Sequence, residues 1–70
     1  MEKFRIKDEF IKLGQAMKAT GMCDTGSQAK EVITGGEVTV NGETDTRRGR
    51  KLYPGDQFSF AGRTVEIEGQ

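Results

Sequence analysis

The chain has 70 residues, a formal net charge of zero, 31% charged and 33% hydrophobic residues. A chain this short buries only about 60% of its unfolded surface, so residues 1–70 form one small domain without a second core. One cysteine and no histidine exclude an internal disulfide and argue against a metal site or other cofactor. Because neither a membrane-spanning apolar run nor a signal-peptide core is present, we expect a cytoplasmic monomer.

The first helix is predicted just after a short extended segment at residues 3–6. Asp8 suits an N-cap, and from Glu9 the apolar residues follow helical spacing. The predicted core face of this helix carries Phe10, Leu13, Gly14 and Met17. The predicted opposite side carries Lys12, Gln15 and Lys18. Gly21 is expected to end the helix, as a glycine at this position often does.

A second helix is predicted to begin at Thr25, since Thr25 and Gln28 fit the capping-box pattern. Its core stripe consists of Ala29, Val32 and Ile33. The pair Gly35-Gly36 ends it. The connector 22–24 is short, so the two helices form a helix-turn-helix pair, and its Cys23 is expected to be a packing residue rather than a nucleophile.

Beyond the second helix, apolar residues alternate with polar ones, which is typical of strands. The alternating pairs are Val38 and Val40, Phe58 and Phe60, and Val65 and Ile67. Turns are indicated at Asn41-Gly42, Pro54-Gly55 and Ala61-Gly62. The sequence therefore predicts an α+β domain, in which the helix-turn-helix pair packs on a small, mostly antiparallel sheet.

A basic run follows the first predicted hairpin. Its four cations are Arg47, Arg48, Arg50 and Lys51. Such a run can attract phosphate in a neutral protein, because distant charges are screened beyond about 8 to 10 Å. Gly49 lets the backbone bend, so we expect the arginines to fan out along a phosphate chain. At the start of the second helix, free N–H groups of Gly26 and Ser27 would also favour a phosphate.

Residues 29–42, AKEVITGGEVTVNG, and the later Pro54-Gly55-Asp56 resemble the RNA-binding domain named after ribosomal small-subunit protein S-four. The run RRGRKL at 47–52 is closer still to the stand-alone bacterial members known as the YbcJ and YaaA types. The resemblance covers about residues 8–62. It implies an alpha-L motif fold and a non-catalytic protein that recognises structured RNA, either ribosomal or transfer RNA, with a ribosomal subunit as a further partner.

The resemblance also implies where RNA would bind, namely on the helix-turn-helix and the turn after the Val-Asn-Gly strand. Carried over by position, the site residues are Thr25, Gly26, Ser27, Lys30, Asn41 and Gly42. Many family members have Ser-Arg where this chain has Thr25-Gly26. Lys30 and the basic run must therefore supply the positive charge of the site. The expected site is completed by Arg47, Arg48, Arg50 and Lys51.

Each of these features also has a structural interpretation. A basic run can be a solvated loop, Asn41-Gly42 is favoured by turn chemistry, and Thr25 by helix capping. Phe58 and Phe60 could be taken for a base-stacking pair, although their alternation with polar residues favours core positions. Tyr53 is the one aromatic residue that the pattern does not assign to the core.

Three classes of function remain open from the sequence. A non-enzymatic RNA-binding protein is favoured. A sulfur-carrier or ubiquitin-like module has a similar first hairpin, but it needs a terminal Gly-Gly, and this chain ends in Glu68-Gly69-Gln70. A protein-interaction or ribosome-associated adaptor is the third class. No enzyme is expected, because the sequence lacks histidine, a convincing nucleophile and base, and a Walker-type loop.

Overall fold

The computed structural model describes residues 1–70, which form two helices and seven strands. The helices are α1 (Leu13–Ala19) and α2 (Gly26–Thr34). The strands are β1 (Glu2–Arg5), β2 (Ile11–Lys12), β3 (Thr39–Val40), β4 (Glu43–Thr44), β5 (Lys51–Leu52), β6 (Gln57–Phe60) and β7 (Arg63–Glu68).

Five of the strands form one sheet, in the order β1-β7-β6-β3-β4. Every neighbouring pair in it is antiparallel except β1 and β7, which run parallel. Strands β2 and β5 form a separate two-stranded antiparallel sheet. The predicted α+β fold with a mostly antiparallel sheet is therefore confirmed, whereas the small β2–β5 sheet was not predicted.

The predicted start of the first helix is wrong. Asp8 caps no helix, Glu9 is not helical, and the residue that precedes α1 is Lys12. The reason is a tertiary pairing, because Ile11 lies opposite Leu52 of β5 and the chain stays extended through β2. Strand pairing has overridden the helical spacing that the sequence shows before residue 13.

From Leu13 onward the predicted helical face is correct. Leu13, Gly14 and Met17 are buried, whereas Phe10 precedes the helix and is only partly buried. The expected opposite side is exposed at Lys12, Gln15 and Lys18. The helix ends before Gly21, whose φ of 79° is the left-handed conformation that terminates helices.

The second helix begins at the predicted cap. The Thr25 hydroxyl accepts a hydrogen bond from the Gln28 backbone N–H at 3.1 Å. The Gln28 side chain reaches back one residue further than a capping box requires, since its carbonyl accepts from the backbone N–H of Asp24 at 2.8 Å. Gly35-Gly36 follow the last helical residue, as predicted.

The three predicted turns are present. Both central residues are left-handed at Asn41-Gly42 and at Ala61-Gly62, the geometry of type I′ hairpin turns. At Pro54-Gly55 the N–H of Asp56 donates to the carbonyl of Tyr53 at 2.9 Å, and Gly55 has a φ of 97°, which makes a type II turn.

The core lies between the two helices and one face of the five-stranded sheet. Phe58 is fully buried and Phe60 packs partly buried against the core, as predicted. Cys23 is also a core residue, and burial raises the pKa of its thiol. The buried apolar residues are Ile6, Leu13, Ala16, Met17, Cys23, Ala29, Ile33, Val38, Val40, Leu52, Phe58, Val65 and Ile67.

Neither helix has the length and apolar character that crossing a membrane requires.

Candidate nucleic-acid interface

The basic run, Arg47–Lys51, follows β4 and ends in the first residue of β5. We call residues 45–51 the basic loop. Its backbone is fastened to the start of α1. The N–H of Leu13 donates to the carbonyl of Arg50 at 2.8 Å, and the N–H of Gly14 donates to that of Arg48 at 3.0 Å. The first N–H groups of a helix lack partners within the helix, so the loop carbonyls serve as the cap of α1. The same bonds hold the loop beside the helix pair.

Gly14 lets the Arg48 side chain cross α1 at close range. A β-carbon on Gly14 would lie 2.7 Å from Cγ of Arg48 and 3.3 Å from its Cδ. Any other residue would displace this aliphatic stem. Arg48 is nevertheless exposed, so its guanidinium remains available for a ligand.

Asp45 organises the other two arginines of the basic loop. Its carboxylate accepts from the Arg47 backbone N–H at 2.9 Å, from Arg47 Nε at 3.1 Å and from Arg47 Nη2 at 2.8 Å. Arg50 Nη1 donates to the same carboxylate at 2.7 Å. The pKa of Asp45 lies well below its usual range, mainly because the Arg47 side chain donates hydrogen bonds to the carboxylate. The carboxylate is therefore charged near neutral pH and fixes both guanidinium groups.

The arginines consequently do not fan out as expected from the sequence. Arg47 and Arg50 converge on Asp45, while Arg48 turns towards α1. Sequence reasoning missed Asp45, although its position two residues before Arg47 is a local signal, because an aspartate commonly bonds the backbone two residues on. With one carboxylate against four cations, the loop retains an excess of positive charge.

A groove of about 250 Å³ lies between α1, the start of α2 and the basic loop. We call it the basic groove, because its lining includes three cations and no carboxylate. The lining residues are Lys12, Gly14, Gln15, Lys18, Gly26, Ala29, Arg48 and Gly49.

The first turn of α2 forms one wall of the basic groove. A β-carbon on Gly26 would lie 4.0 Å from Nζ of Lys18, so the ammonium group stands close to the helix N-terminus. The N–H groups of Gly26 and Ser27 have no acceptor within the helix, since they belong to its first two residues. The helix dipole and the Lys18 charge both favour an anion here.

The structure brings together only part of the expected site. Gly26 and Arg48 line the basic groove. The other three cations of the basic loop, Arg47, Arg50 and Lys51, line a separate depression that shares Gly49 with the groove. Thr25 caps α2, while Ser27 and Lys30 are exposed outside the groove lining. Sequence reasoning missed Lys12 and Lys18, although both were on the predicted exposed side of the first helix.

Asn41 and Gly42 lie in the β3–β4 turn and do not line the basic groove. The Asn41 amide is occupied within the protein. Its nitrogen donates to the Asp56 carboxylate at 3.1 Å, and its oxygen accepts from the Gln57 backbone N–H at 2.9 Å. These bonds explain the asparagine at this position as a residue that stabilises the turn.

Comparison with known proteins finds relatives of one domain family. The S4 domain family matches residues 4–68. A Bacillus subtilis protein, described as "Probable ribosome maturation protein RlbA", is 47% identical over 64 residues, which cover 91% of this chain and 80% of the relative. The Escherichia coli protein YbcJ is 36% identical over 61 residues, which cover 87% of each chain.

The solved structure of YbcJ from E. coli has the same fold. It superposes with a TM-score of 0.74 at 35% identity, over 97% of this chain and 87% of YbcJ. That solution structure is described as having an alpha-L motif involved in RNA-binding. The sequence resemblance to the S-four domain and its stand-alone members is thereby confirmed: the chain belongs to the S4 domain family.

Proposed function

We propose that the protein binds structured RNA through the basic groove and the basic loop, without catalysing a reaction. The observation that carries the proposal is the groove itself, where three cations line one concave surface without a carboxylate, two of them from the stretch 12–18 and one from the basic loop. The whole chain has zero net charge, so this concentration of positive charge is local. The descriptions of YbcJ and RlbA, which refer to RNA-binding and ribosome maturation, support the proposal.

The groove has the chemistry that an RNA backbone requires. Arg48 offers a planar fork for phosphate oxygens, Lys12 and Lys18 add point charges, and the α2 N-terminus adds free N–H groups. Folded RNA is recognised largely by its shape and by its phosphates and 2′-hydroxyls. A concave surface in which backbone hydrogen bonds attach the basic loop to α1, beside the start of α2, suits that kind of recognition.

Binding rather than catalysis is proposed because of what the groove contains. Its side chains are lysine, arginine, glutamine and alanine beside glycines, so it offers donors for phosphate but no carboxylate, imidazole or thiol to act as a base. Ribosomal RNA is the RNA that we favour, since RlbA is described as a ribosome maturation protein. With a ribosomal RNA as the partner, the cytoplasm is the compartment that we propose for the protein.

The test is a titration of a labelled ribosomal RNA hairpin at 50 and 200 mM salt, with transfer RNA, single-stranded RNA and duplex DNA for comparison. If three or four phosphates are neutralised, affinity should fall roughly 20- to 150-fold between the two salt concentrations. Weak binding to every nucleic acid at low salt would contradict the proposal and favour the protein-interaction class instead.

The matched variants are Lys18→Ala and Arg48→Ala in the groove, and Lys3→Ala on the edge strand β1. Lys3 is exposed and its ammonium lies 3.9 Å from Glu68, so its loss removes one charge away from the groove. Together the two groove substitutions should weaken RNA binding by about 30-fold, while Lys3→Ala should change it little. Equal losses from Lys3→Ala and Lys18→Ala would remove the groove from the mechanism.

A further inference from the structure

Two aromatic side chains outside the core lie side by side at one end of the β2–β5 sheet. The antiparallel register pairs Ile11 with Leu52, which sets Phe10 and Tyr53 opposite each other just beyond the paired residues. Their ring centroids are 5.8 Å apart and the rings are tilted by 50°. Tyr53 is 41% exposed, and Met1 is the only other large apolar side chain classed as exposed.

The backbone around Tyr53 is held firmly. Its N–H donates to the Asp56 carboxylate at 2.8 Å, and its carbonyl accepts from the Asp56 N–H at 2.9 Å, which closes the turn over Pro54-Gly55. The ring therefore stands on a hydrogen-bonded turn and packs against Phe10. A ring that is already ordered loses little conformational entropy when a ligand stacks on it.

The cations of the basic loop lie on one side of the aromatic pair. Lys51 Nζ lies 4.8 Å from the centre of the Phe10 ring, within the range of a cation–π contact. Tyr53 also borders a shallow depression whose other lining residues are Arg47, Gly49, Arg50 and Lys51. No carboxylate belongs to that lining.

This combination matches an unpaired nucleotide better than it matches a base pair. An exposed ring offers a stacking surface that a base can use only when it has left its own helix. The phosphates on either side of such a nucleotide would meet the cations of the depression. A partner protein with an apolar patch would use the ring but would leave these charges without a counterpart.

We propose that Phe10 and Tyr53 form a stacking site for one unpaired nucleotide of an RNA whose helical part contacts the basic groove through its backbone. This inference rests on the proposed function. Tyr53 supplies the stacking face, Phe10 packs against its ring, and Lys51 with Arg47 binds the flanking phosphates.

The experiment compares two labelled RNA hairpins that differ only in one bulged adenosine. They are titrated with the parent, with Tyr53→Leu, which loses the ring but remains apolar, and with Tyr53→Phe, which keeps it. Stacking of a base on an aromatic ring predicts that the parent prefers the bulged hairpin by about fivefold or more. Tyr53→Leu should bring that ratio close to one, leave binding of the continuous hairpin unchanged, and melt like the parent. Tyr53→Phe should keep the preference.

A Tyr53→Leu protein that retains the parent's preference would overturn the inference. Salt-dependent binding of both hairpins would then leave the proposed function standing. If the parent binds neither hairpin, both the inference and the proposed function are wrong. Tyr53 is the only tyrosine and the chain has no tryptophan, so its fluorescence gives a second readout that needs no variant. Equal quenching by the two hairpins would also contradict the stacking site.

Discussion

Arginine and carboxylate groups meet in two regions of this protein, and the two regions differ in which partner faces the solvent. In the basic loop, the Asp45 side chain is 7% exposed while that of Arg47 is 69% exposed. At the edge of the sheet, Arg63 pairs with Glu2, and these side chains are 40% and 48% exposed. In the basic loop the carboxylate is buried and the Arg47 guanidinium faces the solvent, whereas at the sheet edge both partners are at the surface.

The difference indicates two purposes for the same chemical pair. Arg63 donates to Glu2 and to the carbonyl of Thr20, so it connects β7 with β1 and with the end of α1. That pair joins parts of the fold. In the basic loop the buried Asp45 carboxylate accepts hydrogen bonds from Arg47 and Arg50, while most of the Arg47 side chain stays exposed to solvent. This arrangement presents cations in a fixed orientation, which suits a binding surface.

The largest expected effect comes from removing both arginines that contact Asp45. The double substitution Arg47→Ala and Arg50→Ala leaves a largely buried carboxylate without its charged partners. We expect the free energy of unfolding to fall by about 3 kcal/mol, measured by urea denaturation at pH 7. Adding Asp45→Asn to the double variant should restore part of the loss. A double variant as stable as the parent would mean that Asp45 does not organise the loop.

Acid should weaken the same region. The folded-state pKa of Asp45 is lowered, so its contribution is present above the unfolded pKa of about 3.9 and is lost as the pH falls from about 5 towards the folded value. Between pH 6 and pH 2.5, the parent should lose about 2 kcal/mol more than Asp45→Asn, which cannot titrate. The measurement is the urea midpoint at each pH. Identical pH profiles would show that another group dominates the acid response.

The smallest effect is expected at the exposed pair. Arg63→Ala removes a salt bridge with solvent-exposed partners, and such pairs contribute about 0 to 1 kcal/mol. RNA affinity should stay within about twofold of the parent value, because neither Arg63 nor Glu2 lines the basic groove. If Arg63→Ala weakened RNA binding as much as Arg48→Ala, the distinction between the two regions would fail.

The sequence predicted best those features that local chemistry determines. Thr25 as a helix cap, Gly21 as a helix terminator and the Asn41-Gly42 turn all depend on residues within a few positions of one another. The second helix and the C-terminal hairpin were correct for the same reason. The residues 47–51 were also recognised as the main basic segment, because their charges are adjacent in sequence.

The features that the sequence could not reveal depend on distant contacts. The start of α1 is set by the carbonyls of Arg48 and Arg50, more than thirty positions along the chain. The basic groove likewise needs Lys18 of α1 beside Gly26 of α2 and Arg48 of the loop. No helical period or capping signal in the sequence indicates such distant contacts. Lys12, which the same bonds place before α1, was therefore predicted only to lie on the side of the first helix opposite its core face.

The parallel pairing of β1 with β7 has a consequence for the order in which the chain folds. Strand β1 has only β7 as a neighbour in its sheet, and 61 positions separate the bonded residues Glu2 and Arg63. Every other pairing in that sheet closes a shorter stretch of chain and costs less loop entropy. During synthesis, β1 therefore has no strand partner until residues 63–68 have left the ribosome, and we expect it to be the last strand to join the sheet.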